Sequence, residues 1–95
     1  MRYTIVNIPV AELPVVAVHD ETRLADAVAR FQNGEVPPPL IVYQRKLYDG
    51  IHRLAAARQL GVKELPAADC PTTADACLLR HAIRKAGFQW QATKK

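Results

Sequence analysis

Three consecutive prolines, Pro37 to Pro39, separate two stretches of this chain that must fold differently. Proline lacks the backbone N–H that a helix needs and holds the chain extended, so no helix runs through "EVPPPL". The stretch before it, "HDETRLADAVARFQNG", carries helix signals: Asp20 or Thr22 as N-cap, acids in the first turn, and Gly34 just past the end. Leu24, Ala27, Val28 and Phe31 follow the i, i+3, i+4, i+7 spacing of one buried stripe. The stretch after the prolines begins with a continuous apolar strand, "LIVYQ", then "RK" as a tight turn and "LYDG" as a second short strand. The chain passes directly from there into "IHRLAAARQLG", a helix that Gly61 stops.

The flanking segments complete the order. Tyr3 to Ile8 alternate and are rich in β-branched residues, which predicts a strand, and "PVAELPVV" bends around Pro9 and Pro14. "KELPAADC" predicts another short strand. "TTADACLLRHAIRKAG" predicts the last helix, with Thr72 and Asp75 as a capping box and Gly87 as its close. Cys77, Leu79, Ala82, Ile83 and Ala86 give that helix an apolar face, with Arg80, Arg84 and Lys85 mostly off it. Strand, helix, strand, strand, helix, strand, helix makes a mixed α/β or α+β domain with a small mixed sheet and three helices. The domain is expected over residues 1–87, followed by a basic tail over 88–95 in which Phe88 and Trp90 dock on the domain or on a partner.

With 95 residues and 49% hydrophobic side chains, the chain builds one core. No run of about 18 apolar residues occurs, so no membrane span is expected. The N-terminus lacks a signal-peptide layout, and the expected location is cytoplasmic. Cys70 and Cys77 follow neither a C-x-x-C nor a zinc pattern, and His19, His52 and His81 are scattered, so two reduced thiols and no metal site are expected.

Charge is placed unevenly. Up to Cys77 there are eight Lys/Arg against nine Asp/Glu; beyond it stand Arg80, Arg84, Lys85, Lys94 and Lys95 with no acid. A basic end of this kind either meets phosphate backbones or is a solvated helix face.

The local constellation with chemical content is Asp49-Gly50-Ile51-His52-Arg53. Gly50 permits an unusual backbone conformation, and the first amides of a helix lack internal partners and sit at its positive end, ready for an anion. Arg53 offers a bidentate fork and His52 a donor or proton-transfer group. Basic residues in a first turn oppose the helix dipole, a cost that a bound anion offsets. The same letters also suit a plain pairing of Asp49 with Arg53 and a surface His52.

Over residues 3 to 69 the sequence resembles the ParB/sulfiredoxin superfamily, through the opening "YTIVNIPVAELPVV", the "PPPLIV" strand and, most specifically, "DGIHRLAAARQLG". The resemblance implies a nucleotide-phosphate site at Gly50, Ile51, His52 and Arg53, filled by ATP, ADP or CTP with Mg²⁺. Sulfiredoxins carry a catalytic cysteine where this chain has Ile51, so their chemistry is excluded. Partition proteins of the superfamily have G-E-R-R where this chain has G-I-H-R, and a DNA-reading helical domain after it. Kinases acting on free serine give the closest local turn, with a histidine-acid pair ahead of the first helix that matches His19-Asp20, followed by Glu21. By that resemblance Asp49, Asp20 or Glu21 would assist phosphoryl transfer or nucleotide hydrolysis.

A rival reading from another class is a non-enzymatic module that binds DNA or a protein partner through Arg80, Arg84 and Lys85. A domain of this size also gains stability from self-association, and a homodimer would use a free sheet edge or the last helix.

Overall fold

The computed structural model describes residues 1–14, 17–86 and 90. The β-rich segments form β1 (Thr4–Pro9), β2 (Leu40–Tyr43), β3 (Lys46–Asp49) and β4 (Glu64–Cys70). The helices are α1 (Glu21–Gln32), α2 (Ile51–Leu60) and α3 (Thr73–Ala86), with a short 3₁₀ turn at Val10–Glu12. The strands lie in the order β1-β4-β2-β3. β4 is antiparallel to β1 and parallel to β2, and β2 is antiparallel to β3. This is the expected α+β class.

The reason β2 reads as an unbroken apolar run is that both its faces are covered. Leu40 and Val42 join Leu54 and Ala57 of α2 and Leu65 and Ala67 of β4 in one cluster, with Phe31 of α1 packed against it. Ile41 points the other way and meets Ala68, Cys70, and Ala76 and Leu79 of α3. Helices α1 and α2 thus cover one face of the sheet and α3 the other. Ala56 and Ala57 are fully buried; Ala57 joins the sheet cluster, and the close backbone approach of α2 is to α1. Among the described residues no helix is long and apolar enough to cross a membrane.

Asp20 caps α1: its side chain accepts a hydrogen bond from the Arg23 amide at 3.0 Å. Thr72 caps α3 as expected. Its hydroxyl accepts from the Asp75 amide at 3.1 Å and donates to Asp75 Oδ2 at 2.7 Å. Asp75 Oδ1 also accepts from the Arg2 amide at 3.0 Å, which ties the N-terminus to α3. These two contacts, the Thr72 bond first, hold the Asp75 carboxyl below the usual range.

Three expectations are corrected. The tight turn sits at Gln44-Arg45, one residue earlier than "RK", because Tyr43 pairs with Lys46 and closes a two-residue loop. Both loop residues have positive φ, 52° and 60°, as a type I′ turn requires. The buried stripe of α3 is Ala76, Leu79 and Ile83, whereas Cys77, Ala82 and Ala86 are exposed. Cys77 follows Ala76 by about 100° around the helix, which carries it off the stripe. The first strand runs Thr4–Pro9, its inward residues Val6 and Ile8 lying opposite Ala67 and Leu65. Gly87, Phe88 and the tail residues 91–95 lie outside the described residues.

Candidate functional site

Between β3 and β2 the ladder slips: Val42 pairs with Leu47, but Ile41 pairs with Asp49. Tyr48 is therefore the extra residue of a β-bulge. Residues directly opposite on paired strands share a face. The slip sets Asp49 opposite Ile41, on the α3 side; an unbroken ladder would set it opposite Leu40, on the side of α1 and α2. On the α3 side Asp49 Oδ1 lies 4.0 Å from Arg84 Nη2. Asp49 Oδ2 is buried and has no hydrogen-bond partner among the described residues.

One residue later Gly50 turns the chain into α2. Its φ of 115° is a conformation that side chains rarely adopt. A Cβ here would come within 2.5 Å of Leu40 Cδ2 and 3.0 Å of Arg53 Nη2. Glycine is demanded both by the turn and by the packing beneath it. Leu54 donates the first helical bond, to Gly50 O at 2.9 Å. The amides of Ile51 and His52 precede it, in the first turn, where an α-helix supplies no acceptor of its own.

Arg53 is buried, 7% exposed, and its Nη1 donates to the carbonyls of Pro38 at 3.0 Å and Pro39 at 3.3 Å. The guanidinium braces the proline segment against the start of α2. Burial lowers its pKa, and the nearby Asp49 charge works against that. The simple pairing of Asp49 with Arg53 is thus only part of the arrangement, because the head of Arg53 is also tied to backbone.

The strand-to-helix junction opens into a cleft of about 820 Å³. Its floor is Asp49, Gly50, Ile51, His52 and Arg53. The start of α1 contributes Thr22, Arg23 and Asp26, and α3 contributes Arg80 and Arg84. Trp90 completes the lining. Its ring meets Phe31 edge-on, centroids 5.1 Å apart, and the Arg30 guanidinium lies 5.9 Å from its centroid. Arg80 Nε is buried with no hydrogen-bond partner among the described residues.

All five residues of the Asp49–Arg53 turn line the cleft together. Asp20 and Glu21 do not line it; Asp20 is occupied as a cap and by an exposed pair with Arg23 Nε at 3.4 Å, and Glu21 is exposed. Arg80 and Arg84, expected on a separate basic face, line the same cleft as Gly50, while Lys85 is exposed and outside it. Sequence reasoning missed Arg23, Asp26 and the contribution of Trp90. The first two follow the Asp20 cap on the polar side of α1, and nothing in their spacing distinguishes them from a solvated helix face. The four arginines of the cleft outnumber its two aspartates.

No family model matches the sequence, and no curated protein matches it. Among solved structures the fold is similar to a conserved hypothetical protein from Pyrococcus furiosus, with a TM-score of 0.61 and 21% identity over 74% of this chain. The chain spans about a third of that protein's length, since the match covers 32% of it. At this identity the similarity is one of fold alone.

Proposed function

We propose that the chain is a ParB/sulfiredoxin-like domain that binds a phosphate-bearing nucleotide in this cleft. The observation that carries the reading is the convergence of Arg80 and Arg84 of α3 with Ile51 and His52 at the N-terminus of α2. A helix N-terminus presents N–H donors and positive potential, and flanking guanidinium groups add charge-assisted bonds to phosphate oxygens. His52, half-buried in the same lining, adds a donor. The cleft's volume of about 820 Å³ lies within the range of small-ligand sites.

Arg53 serves this site by bracing its wall, so the contact to phosphate falls to the turn amides, Arg80 and Arg84. Among the described residues no group of three His, Cys, Asp or Glu side chains is placed to hold a metal. Mg²⁺ would arrive on the nucleotide phosphates, with Asp49 and Asp26 the carboxylates that the cleft offers it, and would neutralise phosphate charge there. Of the three carboxylates expected to act as base, only Asp49 lines the cleft. Phosphoryl transfer or hydrolysis at this site would use that residue toward a hydroxyl or water.

Calorimetric titration with ATP, ADP and CTP in the presence of Mg²⁺ tests the proposal. Heat with at least one of them supports it, and no heat with any, in protein shown to be folded by circular dichroism, overturns it. The DNA- or partner-binding alternative draws less support, since two of its three cations line the cleft.

A further inference from the structure

The end of the cleft formed by α1 and Trp90 is chemically unlike the end formed by α2 and α3. Trp90 meets Phe31 edge-on, and Arg30 lies over its ring. Arg30 is itself held by Asp26 Oδ2 at 3.0 Å and Glu35 Oε1 at 3.1 Å, so the cation beside the indole is anchored on two sides. Ala27, a small buried residue of α1, also lines the cleft. A cleft with phosphate donors at one wall and a fixed aromatic plane at another matches a ligand that carries an anion and a flat ring together.

Resting on the phosphate reading above, we infer that Trp90 is the stacking platform for the nucleobase. It would make the site select nucleotides over inorganic polyphosphate. Stacking of a base on an aromatic side chain contributes about 1–3 kcal/mol and tolerates any base. Selection between adenine and cytosine is accordingly expected to be weak at this position.

Trp90 is the chain's one tryptophan, so its emission reports on the site directly. The test compares ATP with inorganic tripolyphosphate, both with Mg²⁺, by fluorescence and calorimetry. ATP is expected to quench the indole and to bind at least about fivefold more tightly than tripolyphosphate, which leaves emission unchanged. Trp90→Leu should bring ATP affinity down to that of tripolyphosphate without altering the latter, and Trp90→Phe should restore part of the difference. Equal affinity of the two ligands for the native protein overturns the stacking role while leaving the phosphate site standing. So does a Trp90→Leu variant that loses both ligands equally. Absence of binding by either ligand removes the phosphate reading, and the stacking role falls with it.

Discussion

Gly50 and Arg53 do most to define the site at the scale of single residues. Gly50→Ala places a methyl against Leu40 at a φ of 115°, combining backbone strain with overpacking. A loss of about 2–5 kcal/mol in urea unfolding is expected. Arg53→Met removes the donors to Pro38 and Pro39 and takes one of two nearby positive charges from Asp49, leaving it only Arg84 at 4.0 Å. Its cost is expected to be about 2–4 kcal/mol, with Arg53→Lys recovering only part because a point charge cannot reach both carbonyls in one plane. Asp75 tests the sign of an electrostatic contribution. Its carboxyl is held low by Thr72 and by the Arg2 amide, so its stabilising effect is present above the ordinary aspartate range and lost as pH falls toward the lowered value. Asp75→Asn should therefore be less stable than the native protein at neutral pH, and the difference should close below about pH 4 when melting curves are compared.

Within the elements, the β2–β3 hairpin shows how local chemistry is overruled. Gln44 and Arg45 occupy left-handed positions that suit Asn-Gly far better. Arg45→Gly is expected to stabilise the protein by about 0.5–1 kcal/mol, because relief of backbone strain exceeds the loss of an exposed ion pair with Glu12 at 3.7 Å. Chemical denaturation checks this, and an unchanged midpoint would show that the turn is not strained. The bulge at Tyr48 matters more for the cleft. It turns Asp49 toward α3 and Arg84, an effect of one inserted residue that no periodicity in "LYDG" announces. The caps of α1 and α3 were legible because Asp20 and Thr72 stand at the heads of clearly patterned helices. The buried stripe of α3 was less legible, since alanine and cysteine occupy both its core and its exposed side.

Across the whole molecule, the sequence made the α+β order readable through its proline break, its apolar β2 and its glycine stops. It also singled out the Asp49–Arg53 turn, because basic residues in a first helical turn conflict with the dipole. The assembly of the cleft was hidden. Arg80 and Arg84 follow the turn by some thirty residues, and α3 brings them back only after β4 has crossed to lie between β1 and β2. Their place along the chain is a basic end; packing sets Arg84 beside Asp49 and Arg80 in the same cleft. Trp90 was ambiguous for a similar reason, as its partners Phe31 and Arg30 lie on the first helix.

The proposed anion site joins the α2 turn to the α3 arginines. Calorimetry of the native protein and of an Arg80→Ala/Arg84→Ala variant with Mg²⁺-ATP tests it most directly, since Arg84 is half-exposed and its ion pair contributes little to stability. Loss of two charge-assisted contacts should weaken binding at least about a hundredfold, with the variant still folded. Unchanged nucleotide affinity in the folded variant would contradict the proposed site.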